Sequence, residues 1–444
     1  MDLRKGRLGM KGVQSCSVLS SFAIFNRIIK CCDAVMARIR GRNSLRNLEL
    51  LLVVMIATHL SPTLCHGQTD QSNELMVKVG KTVEITASSI NQCWYATVHR
   101  FSTGEILATM RMSGDDANPE GEFSAYSISK DGGQTWSRRY TMGAGANVDA
   151  AYTQVTREDG TIWALGAGYD SLEAYPPGHA TNFNAALTRF SRGGMEFDQI
   201  RDARIHLSKP ALSIPPTVMV TGRKDATKLN EVYEANPWGA IVDGPGGEWL
   251  TTFYYMAERD PRQRQLVLIR STDQGRSWDE YGIIAAVQPN EAPWPWMGNE
   301  GPNEAALVRL SKDRLYCLFR TGGDGYMGEA WSVDDGKTWT APVSSGFKGV
   351  APHLRLMSDG LLACTYGRPG PVTIMFSSHE GKKWTNVTPI SDGVSTHYTD
   401  LIEVEPGKLL VVYDSTPYGG KAIPSSDTSS KNAIYGTFVE VRRR

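Results

Sequence analysis

The sequence predicts an all-β fold, a six-bladed β-propeller of four-stranded antiparallel blades. Three observations carry this expectation. A polar turn ending in tryptophan recurs as SKDGGQTW at 129–136, STDQGRSW at 271–278 and SVDDGKTW at 332–339. A second unit, a tight turn running straight into an apolar strand, recurs six times. Helical periodicity is weak throughout, while 44 glycines and 22 prolines punctuate the chain as many short strands and tight turns require.

Residues 1–67 read as a leader. Arg38, Arg40, Arg42 and Arg46 precede the apolar run LLLVVMIAT at 50–58, and the small and polar residues SPTLCHGQT follow. That is the order of a secretory signal, and the run is too short for a confident membrane span. The basic stretch ahead of Met36 is long for such a signal, so the expected start is Met36. A signal anchor is the alternative to cleavage. Export to the periplasm or the exterior follows, with no stable membrane insertion once the signal is removed. The formal net charge is zero, yet the leader holds ten basic and three acidic residues, leaving 37 basic and 44 acidic in the rest. A mildly acidic body lacks the basic face that nucleic acid demands.

Residues 68–444 are expected to form the propeller. Its strands begin at the turns of GEILATMR (104–111), GTIWALGAG (160–168), GEWLTTFYY (247–255), DRLYCLFR (313–320), GLLACTYGR (360–368) and GKLLVVYD (407–414). Alternating apolar runs such as EAALVRL (304–310) and TDLIEVE (399–405) precede them. Six strand pairs with turn motifs after several of them describe six blades that bury their faces against one another. The last strand, NAIYGTFVEV (432–441), is expected to pair with VEITAS (83–88) and so remove an open edge.

The tryptophan turn has a physical logic. Ser and Asp side chains bond nearby backbone N–H groups, Gly takes the positive φ, and Trp folds back as an apolar plug. SSHEGKKW at 377–384 is a fourth copy with His379 in place of the aspartate. FSRGGMEF at 190–197 is a worn fifth. Of seven cysteines, Cys93, Cys317 and Cys364 lie beyond the leader, too few and too widely spaced for a disulfide framework.

These turns resemble the Asp boxes of the sialidase superfamily, and the resemblance extends over roughly residues 90–440. It implies that the boxes are scaffold on the outer rim, and that the active site lies at the centre of the ring. It also implies an exo-acting, sialidase-like glycoside hydrolase that releases terminal sugars, sialic acid or another acidic sugar, from glycoconjugates with retention. A binding propeller without turnover and a hydrolase of the same fold acting on another sugar are the alternatives.

The same resemblance assigns residues. Glu304 and Arg320 match the pattern in which a Glu begins an innermost strand and an Arg ends the next. Tyr398 matches the family's nucleophile. It lies nine residues before Gly407, as Glu304 lies nine before Asp313, so both side chains should project at one height. A phenol nucleophile avoids repulsion from a carboxylate on the anomeric carbon, and a neighbouring Glu serves as its base. Asp116, with Asp115 as its rival, matches the acid/base position. Arg368 matches a second of three arginines that grip the sugar carboxylate with planar forks. The third is missing: CWYATVHR puts Trp94 or Tyr95 where it should stand, and Arg111 or Arg100 is the candidate substitute. Trp294 and Trp296, in PNEAPWPWMGNEGPNE, are equally candidates for stacking on a sugar or for packing their own loop. His353, His379 and His397 read as structural, and no metal ligation or cofactor is expected. Asn386-Val-Thr388 is a glycosylation sequon where the host modifies secreted proteins.

Overall fold

The turn-and-strand units are rich in Leu, Ile, Val and aromatic residues, and they become strands that are buried along nearly their whole length. A sheet with one wet face would show alternation, so these sheets are covered on both faces. A computed structural model describes residues 75–88, 93–112, 124–142, 153–167, 179–191, 197–214, 232–233, 235–257, 260–288, 291–392, 398–415 and 432–444. The leader, Asp115, Asp116 and His397 lie outside the described residues.

In chain order the strands are β1 (Leu75–Ser88), β2 (Trp94–Arg100), β3 (Ile106–Arg111), β4 (Ser124–Ser129) and β5 (Tyr140–Thr141). There follow β6 (Gln154–Thr156), β7 (Ile162–Ala167), β8 (His179–Phe190), β9 (Phe197–Ile214) and β10 (Val232–Tyr233). Next come β11 (Ala235–Asp243), β12 (Trp249–Met256), β13 (Arg264–Ser271) and β14 (Ser277–Ala286). A further group is β15 (Asn303–Arg309), β16 (Leu315–Arg320), β17 (Gly328–Ser332) and β18 (Val343–Ser344). The chain ends with β19 (Val350–Leu356), β20 (Leu362–Gly367), β21 (Thr373–Ser377), β22 (Thr385–Pro389), β23 (Thr399–Glu405), β24 (Lys408–Asp414) and β25 (Asn432–Arg443).

The fold is all-β, with no α-helix among the described residues. Strands β2–β5, β15–β18 and β19–β22 each form a four-stranded antiparallel meander. A fourth four-stranded sheet has the order β1-β25-β24-β23, so the first described strand closes the last sheet. Val83 faces Gly436 and Ser88 faces Asn432, the pairing that the sequence led us to expect. One expectation is corrected. The remaining strands form a single nine-stranded sheet rather than two separate blades. The cause is β9, which runs for 18 residues and pairs in parallel with β14 through Arg204–His206 and Ser277–Asp279.

The first strands of the successive groups, β2, β6, β11, β15, β19 and β23, pack one against the next, and β23 returns to β2. Together they line a central cavity of about 570 Å³. Side-chain bonds tie this circuit where no sheet pairing does. The Asp400 carboxylate on β23 accepts from Val98 N on β2 at 2.9 Å and from His353 on β19 at 3.1 Å.

The tryptophan turns hang at the opposite strand ends from Glu304, because β17 runs from the Arg320 end of β16 to Leu315 before its turn begins. In the turn at 332–339, Ser332 Oγ bonds Asp334 at 2.8 Å, and Asp334 accepts Thr338 N at 2.9 Å. The other two full copies repeat these bonds. Gly336 adopts φ +88°, and a Cβ there would stand 2.2 Å from Leu268 on the neighbouring sheet. Trp278 is fully buried, whereas Trp136, Trp339 and Trp384 are half-buried. Trp384 leans on Tyr316 of the preceding sheet. The turns at 332–339 and 377–384 thus clamp sheet to sheet, while the turn at 271–278 packs on Trp249 and Leu187 of its own nine-stranded sheet.

Candidate active site

The site is built at the starts of the inner strands. In β15 the register breaks between Asn303 and Ala305, and Glu304 takes φ +38° there. The same irregularity recurs on β2 at Tyr95 (φ +51°), on β11 at Gly239 (φ +100°) and on β19 at Ala351 (φ +44°). An inserted residue bends a strand and re-aims its side chains. Four equivalent breaks at one end of the channel therefore gather strain around a single point, as functional sites do.

Tyr398 immediately precedes β23, and its hydroxyl donates to Glu304 Oε1 at 2.8 Å. The two side chains that sequence spacing set at one height do meet. Arg320, ending β16, donates Nη1 to the same Oε1 at 2.8 Å and Nη2 to Glu300 Oε1 at 2.6 Å. Glu304 Oε2 accepts no hydrogen bond among the described residues. Arg264, at the start of β13, donates to Glu300 O at 2.7 Å. The Arg368 guanidinium stands over the Tyr398 ring, 5.6 Å from its centroid.

Burial and charge set the protonation states. Burial alone would raise the Glu304 pKa, but the Arg320 charge and hydrogen bond, then Arg368 and Tyr398, outweigh it and hold the carboxyl below its usual range. Burial, reinforced by the Glu304 charge, pushes the Tyr398 phenol above its ordinary value despite both arginines. At neutral pH the pair is thus a neutral phenol donating to a carboxylate. Such a pair has the chemistry of a nucleophile with a base beside it. Burial lowers the Arg264 pKa to about 10, against the attraction of Glu300, so it too is charged at neutral pH.

Aromatic rings wall the rest. Trp94 and Tyr95 stack at 4.7 Å, and Tyr95 meets the Tyr398 ring edge-on at 4.4 Å. Trp238 stands 6.1 Å from Tyr398. The corner that the family pattern gives to an arginine is therefore apolar here. Arg111, at the end of β3, lies directly opposite Trp94 in the register and so belongs to this face. Arg100 does not: it sits at the other end of β2 and donates to Val404 O at 2.8 Å. Trp294 and Trp296 stack on each other at 5.2 Å, both half-buried. Trp296 also fills the space above Gly328, where a Cβ would stand 2.8 Å from its ring.

Glu300, Arg264 and Trp238 escaped the sequence reading. Glu300 lies in the Pro- and Trp-rich loop that it singled out, four residues before Glu304. Trp238 is flagged only by Gly239, whose Cβ would stand 2.5 Å from Ala305 O. Arg264 has no local signal, since it reaches the site from the third strand of its sheet.

The chain matches the BNR repeat-like domain over residues 229–415. No curated protein matches it in sequence. Among solved structures it is similar to a Dyadobacter fermentans protein of unknown function, at 20% identity and a TM-score of 0.60, covering 82% of this chain and 99% of that one. It is similar to a Hadza microbial sialidase at 15% identity and a TM-score of 0.53, covering 79% of this chain and 66% of that one. It is also similar to a Fusarium graminearum α-L-arabinofuranosidase solved with an iminosugar inhibitor, at 14% identity and a TM-score of 0.53, covering 81% and 98%. Identities this low establish the shared propeller-type fold and nothing finer.

Proposed function

We propose that the chain, which resembles the BNR, Asp-box propellers of the sialidase superfamily, is an exo-acting, retaining glycoside hydrolase for terminal acidic sugars. The observation that carries this reading is the 2.8 Å hydrogen bond from Tyr398 to Glu304, itself held by Arg320. The circuit of six inner strands supports a six-bladed ring, with the nine-stranded sheet counted as two blades joined at their outer strands. The apolar run at 50–58 supports export of the chain.

In this mechanism Tyr398 Oη attacks the anomeric carbon while its proton passes to Glu304. The bond to the leaving oxygen breaks, and Asp116 supplies the proton that oxygen needs. Water then attacks the glycosyl–tyrosine, giving up a proton to Asp116, and the phenol recovers its own from Glu304. Two displacements at one carbon return the original configuration. The raised pKa of Tyr398 makes the base essential, because an unassisted phenolate is scarce at neutral pH.

Arg320 and Arg368 would hold the sugar carboxylate. Losing a third charge-assisted partner costs about 1.5–3 kcal/mol. The aromatic corner of Trp94 and Tyr95 favours a second reading, a hydrolase of the same mechanism acting on a neutral sugar. The test is turnover of fluorogenic glycosides, a sialoside and an arabinofuranoside among them, by protein expressed from residue 68. Release from the sialoside supports the first reading and release only from neutral glycosides the second. Absence of turnover across the panel, with binding retained, makes the protein a glycan-binding propeller.

A further inference from the structure

The cavity of about 570 Å³ opens at the other end of the channel from Tyr398, among the later residues of all six inner strands. Its wall includes Arg100, Arg309, Arg355, Asp400 and Glu403, and none of Tyr398, Glu304 or Arg320. The two carboxylates of this wall are spent on the protein itself. Asp400 Oδ2 accepts from Val98 N, and Oδ1 accepts from Leu401 N at 2.7 Å and faces His353. Glu403 Oε2 accepts from Ser358 N, while Oε1 accepts from Ser358 Oγ and Gly407 N.

The donors are not spent. Arg100 uses one N–H, toward Val404 O at 2.8 Å. Arg355 directs Nε and Nη2 at a single carbonyl, Leu401 O, at the long distances of 3.4 and 3.3 Å. Arg309 differs, since its Nε and Nη1 are engaged by Asp243 O, Lys312 O and Asp335. Two guanidinium forks therefore keep capacity for paired hydrogen bonds to oxyanions. They flank β23 from opposite sides, Arg355 from β19 and Arg100 from β2, at carbonyls three residues apart, which is roughly 10 Å along a strand. An ion with one oxyanion group reaches one fork; a longer one reaches both.

We propose that the far end of the channel is a second binding site, for a small di- or tricarboxylate whose ends engage Arg355 and Arg100. This site stands apart from any chemistry at Tyr398. Isothermal titration of the protein with citrate, and with acetate for comparison, tests it. Citrate should bind at least about tenfold more tightly than acetate, the gain of one further charge-assisted contact. Arg355→Gln and Arg100→Gln should each weaken citrate by a similar factor, while Arg320→Gln leaves it unchanged. Arg355→Lys and Arg100→Lys keep the charge without the fork, and stand in for a glutamine variant that does not fold. No citrate binding, equal affinity for acetate, indifference to both channel arginines, or loss in Arg320→Gln would each overturn the proposal.

Discussion

The Tyr398–Glu304 pair differs from the other buried phenol–carboxylate bond, Tyr316 to Glu329, in having the guanidinium groups of Arg320 and Arg368 beside it. Tyr398 and Glu304 are 4% and 7% exposed, and packing alone would be served as well by Phe and Gln. Tyr398→Phe keeps the ring among Trp94, Tyr95 and Trp238 and removes only the hydroxyl proposed as nucleophile, with its hydrogen bond to Glu304. Turnover should fall by about a thousandfold or more, as it does when an activated nucleophile is deleted, with the melting temperature nearly unchanged. Loss of stability with turnover retained would return Tyr398 to the core. Glu304 makes a second prediction. Its folded pKa is depressed, so the carboxylate stays ionised and competent until the pH falls below the ordinary Glu value of about 4.3. The acid limb of kcat/KM should therefore lie on the low side of that value, and it should vanish in Glu304→Gln along with most activity. The pair was legible in the sequence because a repeat fixes height: the same nine-residue offset from the inner turn puts both side chains on one level. Glu300 was not, because a loop has no period from which to count.

At the scale of elements, the tryptophan turns should reveal themselves through stability. Trp278 is fully buried beside Trp249 and donates to Gly275 O at 2.8 Å, so Trp278→Ala should cost about 3–5 kcal/mol in denaturant unfolding. Trp339 is half-buried, and its truncation should cost clearly less. Equal costs would mean that the contribution of these turns does not follow the burial of their tryptophans. A buried pair farther along makes a pH-dependent prediction. Tyr316 donates to Glu329 at 2.8 Å, and burial raises the Glu329 pKa to about 7. The folded state thus holds a proton that the unfolded chain releases near its ordinary value. The stability Glu329 contributes is complete below that unfolded value and is lost as pH rises to about 7. Melting temperatures of Glu329→Gln should gain on the wild type over that interval and show a flatter profile. The strands and turns were readable from residue types, since six inner turns and three full tryptophan turns are local patterns. The β9–β14 junction was not: a three-residue parallel pairing between distant segments leaves no mark in either segment's composition.

Closure of the whole ring depends on polar groups as much as on sheet pairing. The inner strands are first strands of their sheets, and neighbouring sheets meet there without a shared ladder. Across the last two seams, Asp400 joins β23 to both of its neighbours, and Thr365 and Thr399 bond at 3.0 Å beside it. The strand β1 completes the final sheet from the other end of the chain, which the alternating run VEITAS made visible in advance. Asp400 could not be foreseen, because its partners, Val98 and His353, lie 302 and 47 positions away. Burial by itself would raise the Asp400 pKa, yet His353, His99 and the Val98 amide together hold it below the ordinary value. Its contribution to stability is therefore complete above the unfolded value of about 3.9 and is lost as pH falls through the lower folded value. Asp400→Ala strands a buried amide and unpairs His353, so unfolding at neutral pH should become easier by about 3–5 kcal/mol, as when one partner of a buried pair is removed. Asp400→Asn keeps the shape and the acceptor for Val98 but not the charge, and should recover part of that loss while removing the acid sensitivity. Chemical denaturation of the three proteins at neutral and acid pH measures both effects. If Asp400→Ala unfolds like the wild type, the polar seam is ornamental, and the ring is held by β1 and the apolar faces between sheets.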